Sequence, residues 1–167
     1  MNIDLSETLK QGIARHQAGD LSAAKEAYDR ILEAAPGHAD ALHLSGLIAH
    51  QQGDNEVAST LIRKAISMDG NVALYHANLG RVLKASGNDV AAIDAFKQAI
   101  QIEPETAALH ADLASALLGA GEADAARSRA NLALELDPGS AEANVNLGLA
   151  LQELYGPAHS DAISAFR

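Results

Sequence analysis

Histidine is the residue type in this chain best suited to bind a metal or to move a proton, and the chain has seven. A zinc site on one helix needs two ligands four residues apart, and no histidine pair has that spacing. His43 and His50 are seven residues apart, which places them on one helix face but about two turns from each other. No acidic residue completes a site with them. The sequence therefore predicts no bound metal and no other cofactor.

Motifs for catalysis are also missing from the sequence. It has no glycine-rich phosphate-binding loop, no nucleophile elbow, and no carboxylate pair beyond what an acidic surface supplies. Cysteine is absent, which excludes disulfides, thiolate metal sites and cysteine nucleophiles. The sequence predicts a protein that is not an enzyme.

The net charge restricts the partners that this chain can bind. The formal charge is -10, whereas phosphate backbones and anionic membrane surfaces are bound by basic faces. No apolar run approaches the length of about 18 residues that a membrane span needs, and the N-terminus lacks the pattern of a signal peptide. We expect a cytoplasmic protein without nucleic-acid binding or membrane insertion, in which the acidic surface serves solubility.

The apolar composition favours helices over sheets. Apolar residues make up 48% of the chain but aromatic residues only 3%, and alanine and leucine supply most of the apolar content. Both are strong helix formers, and alanine lets helices approach closely. We therefore expect a thin helical core with few large side chains.

A period of 34 residues runs through the sequence. Four full copies cover residues 5–38, 39–72, 73–106 and 107–140, and a partial copy covers 141–167 after a short N-terminal extension, 1–4. Frame position 8 is Gly in every copy except the fourth, position 15 is Gly in all full copies, position 20 is Ala, and position 32 is Pro or Gly. Such a period is typical of an all-α repeat array, which buries its core by stacking copies. We interpret residues 5–167 as one such array.

Each copy divides into a first helix and a second helix. The glycine at position 15 favours the left-handed backbone that ends a helix. Asp or Asn follows it in three copies and is a favoured N-cap for the second helix: Asp20, Asp54 and Asn88. Glu122 is a poorer cap, so we expect the fourth turn to be less well fixed.

Small residues at positions 8 and 20 predict a close crossing of the two helices in each pair. Larger side chains fill the remaining space at position 24, namely Tyr28, Ile62 and Phe96. The fourth copy has only Ala130 there, so we expect a looser core. Replacing Gly80 with Leu should separate its pair and cost about 1–3 kcal/mol.

The fifth copy departs from the pattern. Its turn is two residues longer than the others, and the chain stops at Arg167, inside the expected second helix. Repeat arrays normally end in an element with a polar outer face, whereas Ile163 and Phe166 should be partly exposed here. This indicates a fragment of a longer protein, or an end that docks on another chain.

The pattern resembles the tetratricopeptide repeat family over nearly the whole chain. The signature residues are clearest in the third copy: Leu79, Gly80, Ala92, Phe96, Ala99 and Pro104. The resemblance implies an α-solenoid of antiparallel helix pairs in a right-handed superhelix. It also implies a binding module without catalysis, whose first helices line a concave groove. More weakly, the second and third copies resemble the repeat arms of bacterial O-GlcNAc-transferase-like or other glycosyltransferase proteins.

Carried onto this sequence, the family's groove positions give a partner-binding surface graded from basic to acidic. Its residues are Lys10, Ile13, His16, His43, Leu47, His50, Asn78, Arg81, Lys84, Asp112 and Asn146. At position 4, where the family often has a bulky residue, His76 and His110 are interpreted as groups that pack between repeats.

Position 6 holds Asn78, Asp112 and Asn146 in successive copies, which resembles the asparagine ladder of O-GlcNAc-transferase arms. A side-chain amide both donates and accepts, so it can hold a peptide backbone without reading its sequence. The alternative interpretation is a row of solvated polar positions.

The cations Lys10, Arg81 and Lys84 form a second candidate feature, suited to an acidic peptide or a C-terminal carboxylate. They do not reproduce the family's full carboxylate clamp, and scattered surface cations are the alternative interpretation.

Three functional hypotheses follow from the sequence. The first is an interaction scaffold that binds a protein or peptide ligand in the groove. The second is the substrate-recruiting arm of a larger glycosyltransferase. The third is a scaffold that self-associates through its uncapped C-terminal end.

Overall fold

The computed structural model describes residues 3–156, and all regular structure in this range is helical. First helices of 13 residues alternate with second helices of 14, and the last first helix has 15. The described helices are α1 (Leu5–Gln17), α2 (Leu21–Ala34), α3 (Ala39–Gln51), α4 (Asn55–Met68), α5 (Ala73–Ala85), α6 (Asp89–Ile102), α7 (Ala107–Gly119), α8 (Ala123–Leu136) and α9 (Ala141–Tyr155). Every described first helix begins at the start of a predicted copy, and the all-α fold class is confirmed.

The turn inside each full copy ends the first helix as predicted. The position-15 glycines have φ angles between 73° and 85°. In the first copy the Gly19 N–H donates to the His16 carbonyl at 3.0 Å and the Asp20 N–H donates to the Arg15 carbonyl at 2.9 Å. This pair of bonds defines a Schellman motif, and it recurs in the other three full copies. One turn geometry therefore sets the direction of every described second helix.

The caps of the second helices also agree with the sequence. The carboxylates of Asp20 and Asp54 and the amide oxygen of Asn88 each accept a hydrogen bond from a backbone N–H in the first turn of the helix that follows. Glu122 makes no side-chain cap bond at the start of α8. Glu122 is thus the poorer cap, as expected, and a less well fixed fourth turn stays a prediction.

The chain forms two compact units, residues 1–82 and residues 83–167, which we call unit 1 and unit 2. The core of unit 1 contains Tyr28, Ile31 and Ile48 among alanines. A Cβ atom at Gly46 would lie 2.8 Å from Cγ1 of Ile62 and 3.1 Å from the Ala58 carbonyl oxygen. The second helix thus passes directly over position 8, which explains the glycine at this position.

The core of unit 2 is built mainly from alanine. Ala111, Ala133 and Ala143 form one buried cluster in it, and Phe96 and Leu113 are among its few large buried side chains. In the fourth copy Ala114 and Ala130 occupy positions 8 and 24, and both are fully buried. Two alanines thus replace the usual pairing of glycine with a large side chain, and a looser core at this place stays a prediction.

One side of α9 has no covering element among the described residues. Val145 is 61% exposed and Leu149 is 49% exposed. A Cβ atom at Gly148 would meet no atom within 4 Å. Ile163 and Phe166, predicted to be partly exposed, lie outside the described residues. Within residues 3–156, no helix combines the length and apolarity that crossing a membrane would require.

Candidate interaction face

The predicted binding residues of unit 1 lie on one side of its first helices. We call this set the unit 1 face: Lys10, Ile13 and His16 on α1, His43, Leu47 and His50 on α3, and Asn78 and Arg81 on α5. Lys10 and Arg81 are exposed, His43 is buried, and the other five are half-buried. Frame positions 6 and 9 point away from the glycine at position 8, whereas position 12 is four residues after that glycine and lies on its side of the helix. His16, at position 12 of α1, accordingly reaches the Tyr28 hydroxyl.

A polar network connects α3 to α5 across this face. The Tyr75 hydroxyl donates to Oδ1 of Asp40. The Tyr75 ring packs on the His43 ring with centroids 4.6 Å apart. Nδ2 of Asn78 donates to Nε2 of His43 at 2.9 Å, and Nη1 of Arg81 donates to Oδ1 of Asn78 at 3.0 Å. The amide of Asn78 is therefore bonded at both ends within unit 1.

His43 takes part in this network as a neutral imidazole. It is only 3% exposed, and burial lowers its pKa to about 4, although the charge of Asp40 acts in the opposite direction. Nε2 accepts from Asn78, so the ring proton is on Nδ1. Burial also raises the pKa of Tyr75, as does its hydrogen bond to Asp40. The network is therefore uncharged at its centre, and Asp40 and Arg81 are its charged members.

The other two histidines of the face are also bonded to neighbouring side chains. Nε2 of His16 lies 3.2 Å from Oε1 of Gln51, and the Tyr28 hydroxyl lies 3.4 Å from its Nδ1. Nδ1 of His50 donates to Oδ1 of Asn55 at 2.6 Å. Among residues 3–156 no group of three or more His, Cys, Asp or Glu side chains could hold a metal ion.

The predicted binding residues of unit 2 are less accessible than those of unit 1. Lys84 is half-buried, while Asp112 is 8% exposed and Asn146 is 5% exposed. Nδ2 of Asn146 donates to the Ala111 carbonyl at 2.9 Å, on the neighbouring first helix. A role in binding stays a prediction for all the predicted residues, and most of the accessible ones lie on unit 1.

Sequence reasoning missed a regular set of bonds between neighbouring first helices. Four pairs of residues that are 35 positions apart are hydrogen-bonded: His16 with Gln51, Asp40 with Tyr75, His43 with Asn78, and Ala111 with Asn146. Each joins one frame position to the next position of the following copy. A search of the sequence for pairs of polar residues 35 positions apart would have found three of these four pairs.

The histidines at position 4 pack between repeats, as predicted. Nε2 of His76 donates to the Gly70 carbonyl at 3.0 Å, and Nε2 of His110 donates to the Pro104 carbonyl at 2.8 Å. Both carbonyls belong to frame position 32, in the turn that joins one copy to the next. Nδ1 of His110 is buried without a hydrogen-bond partner.

Unit 2 also has a shallow cavity. It has a volume of about 510 Å³ and is open to solvent. The start of α8 and the end of α9 line it, including the acidic side chains of Glu122, Asp124 and Glu153.

Comparison with known structures found three informative similarities. A crystal structure of MamA protein is 24% identical, with a TM-score of 0.83 over 97% of this chain and 87% of that chain. YrrB, described as a TPR protein with an unusual peptide-binding site, is 21% identical, with a TM-score of 0.80 over 92% of this chain and 79% of that chain. At these identities the likeness shows the fold alone.

The third similarity is to a much longer protein. A mutant O-GlcNAc transferase from Thermobaculum terrenum is 31% identical, with a TM-score of 0.73 over 81% of this chain and 27% of that chain. A search of curated proteins found no match.

Family models identify the repeats directly. Models described as tetratricopeptide repeat match residues 9–71, 51–107 and 83–144. These matches cover most of the chain and agree with the helix pairs and turn glycines described above. The chain therefore belongs to the tetratricopeptide repeat family.

Proposed function

We propose that this protein is a non-catalytic interaction scaffold that binds an extended segment or a helix of another protein on the unit 1 face. The repeat family and its structural neighbours support an interaction scaffold in general. The description of YrrB includes a peptide-binding site, which makes a peptide ligand a reasonable candidate for a related array.

The observation that carries this proposal is a pair of half-buried apolar residues in an otherwise polar face. Ile13 and Leu47 occupy position 9 on adjacent first helices and lie outside the described core clusters. The hydrogen-bonded network of α3 and α5 lies beside them and is already ordered. A partner that covers these two side chains removes apolar surface from water, which favours binding. The protein loses little conformational entropy on binding, because the neighbouring side chains are already ordered.

Selection from a displayed library of random peptides tests the proposal. Immobilised wild-type protein should enrich peptides over several rounds. The double variant Ile13→Ser, Leu47→Ser should not enrich them, because the apolar contact is lost. Val57→Ser with Met68→Ser is the matched control, since these exposed apolar residues lie on α4. Equal enrichment by the face variant, or no enrichment by wild-type protein, would contradict the proposal.

The likeness to the Thermobaculum terrenum transferase favours a second candidate function, the substrate-recruiting arm of a larger glycosyltransferase. The match covers 27% of the transferase chain, so the likeness concerns only part of that protein. Sequencing the gene beyond codon 167 tests this candidate function. A glycosyltransferase domain encoded there would support a recruiting arm, and a stop codon there would rule it out.

Self-association through α9 is a third candidate, favoured by the exposure of Val145 and Leu149. Sedimentation velocity at several concentrations should show a growing species for wild-type protein and a monomer for Val145→Glu with Leu149→Glu. A wild-type monomer at all concentrations would rule out this candidate.

A further inference from the structure

We propose that Asp69 is a site of spontaneous covalent modification, at which aspartate rearranges to isoaspartate through a succinimide closed by the Gly70 nitrogen. The modification loosens the segment that joins α4 to α5. This inference does not depend on the proposed function. It follows from a difference between two aspartates that occupy the same place in the repeat.

Asp69 and Asp137 are equivalent residues at frame position 31, where the second helix of a copy ends. Their backbones are alike, with φ and ψ of -142° and 98° at Asp69 and of -139° and 94° at Asp137. Oδ1 of Asp69 accepts a hydrogen bond from the Asn71 N–H at 3.1 Å. Oδ1 of Asp137 accepts one from the Gly139 N–H at 3.0 Å. Each aspartate is exposed and forms an Asx turn, which holds the carboxyl group beside the backbone that follows it.

The next residue separates these two aspartates chemically. Position 32 is proline in the other three full copies, and proline has no N–H with which to close a succinimide. Gly70 has this N–H, and within residues 3–156 it donates no hydrogen bond. Glycine also has no side chain to hinder the approach of its nitrogen to Cγ of Asp69. Asp69–Gly70 is the one Asp–Gly step in the sequence, and no Asn–Gly step occurs.

The rearrangement needs no reagent other than water. The Gly70 nitrogen attacks Cγ of protonated Asp69, and the carboxyl hydroxyl leaves with the amide proton as water. A second water adds to the main-chain carbonyl carbon of Asp69 and breaks its bond to the Gly70 nitrogen, which gives isoaspartate, whereas addition at Cγ restores aspartate. The ring closes only after ψ of Asp69 rotates from 98°, so the reaction proceeds through local openings of this exposed segment.

Isoaspartate lengthens the main chain between α4 and α5 by one carbon atom, because the chain then runs through Cβ and Cγ. Two hydrogen bonds depend on the normal length of this segment. One is the Asx bond of Asp69 with Asn71, and the other joins Nε2 of His76 to the Gly70 carbonyl at 3.0 Å. His76 lies in the first turn of α5, so the loss of both bonds releases the start of this helix.

Peptide mapping of protein aged at physiological temperature and neutral pH tests the inference. Trypsin places Asp69 in a peptide of residues 65–81 and Asp137 in a peptide of residues 130–167. Aged wild-type protein should yield an isomer of peptide 65–81 that an isoaspartate-specific methyltransferase methylates, with the modification located at Asp69 by fragmentation. The mass of this isomer is unchanged, which separates it from deamidation of Asn71. Asp137 should remain aspartate.

Two substitutions exchange the chemistry of the two sites. Gly70→Pro should abolish the isomer, and proline suits this position because Gly70 is not among the glycines with positive φ. Pro138→Gly should create a second site of isomerisation at Asp137. Asp69→Ser is the alternative variant if Gly70→Pro fails to fold, since it keeps an acceptor for the Asn71 N–H and should also abolish the isomer.

Thermal unfolding tests the structural consequence. Aged wild-type protein should melt at a lower temperature than fresh protein, whereas aged Gly70→Pro should melt at the temperature of its fresh sample. An unchanged melting temperature in protein that carries the isomer would overturn the loosening of the segment between α4 and α5.

Three results of the peptide mapping would overturn the modification site itself. The first is absence of the isomer from aged protein when a synthetic peptide of residues 65–81 forms it. The second is equal isomerisation at Asp69 and Asp137 in wild-type protein. The third is persistence of the isomer in Gly70→Pro.

Discussion

Single side chains connect the neighbouring first helices α3 and α5 across the unit 1 face. Asn78 resembles a peptide-binding ladder residue in the sequence, yet its amide is bonded to His43 on one side and Arg81 on the other. Asn78 therefore joins α3 to α5 through its amide. His43 can accept this bond because burial keeps its ring neutral.

The lowered pKa of His43 makes stability depend on pH. In the unfolded chain His43 takes up a proton near pH 6.5, whereas in the folded chain its pKa is about 4. The unfolded state therefore binds more protons between these values, and the free energy of unfolding falls as the pH falls from 6.5 toward 4. From pH 7 to pH 5 this group should cost about 2 kcal/mol.

Urea unfolding at pH 7 and pH 5 measures this effect. Other groups also titrate in this range, so the decisive quantity is the difference between wild-type protein and His43→Gln. Gln can still accept a bond from Asn78 but does not titrate. An equal loss of stability in both proteins would show that His43 is not the source.

Position 8 offers a matched pair of glycine substitutions. Gly46→Ala should lower the free energy of unfolding by about 1–3 kcal/mol, because the new methyl group would lie 2.8 Å from Ile62 and 3.1 Å from a backbone oxygen. Gly148→Ala, at the same frame position of α9, meets no atom within 4 Å and should stabilise its helix by up to about 1 kcal/mol. Thermal unfolding of the two variants would contradict the packing argument if both changed stability in the same direction.

At the scale of the helix, the repeated turn and its cap explain how a short sequence motif positions each pair. A glycine with positive φ ends the first helix, and the next residue caps the second helix in three of the four full copies. The exception is Glu122, whose longer side chain makes no cap bond.

Replacing Glu122 with Asp should give α8 the side-chain cap bond that it lacks. The shorter carboxylate occupies the position of Asp20 and Asp54, so it should accept a bond from the first turn of α8 and raise the stability by about 0.5–1 kcal/mol. The charge is unchanged, which separates capping from the helix dipole. Urea unfolding should also show that Asn88→Ala loses a similar amount. No gain from Glu122→Asp would mean that the turn already satisfies these N–H groups in another way.

Helix starts and turns were predictable because each depends on residues close in sequence. The glycines at position 15 and the caps after them determine local backbone geometry, so the five first helices begin where the frame begins. The side-chain bonds of the site were not predicted, because they depend on how neighbouring first helices are shifted along their axes. That shift pairs one position with the next position of the following copy, as His43 pairs with Asn78. A period of 34 residues does not contain this information.

At the scale of the whole molecule, charge is distributed unevenly between the two units. Residues 1–82 contain ten acidic and seven basic residues, whereas residues 83–167 contain twelve acidic and five basic ones. The exposed cations of the unit 1 face therefore belong to the less acidic unit. Any contribution of these cations to partner binding should weaken as the salt concentration rises, because exposed charges are screened over about 10 Å at moderate ionic strength.

Chemical-shift mapping by NMR tests the location of binding most directly. A peptide selected by wild-type protein is titrated into isotopically labelled protein, and the backbone amide shifts are followed. The largest changes should fall on α1, α3 and α5 around Ile13, Leu47 and Arg81, with little change on α2 and α4. Changes concentrated on α2 and α4, or on unit 2 alone, would contradict a binding surface on the unit 1 face.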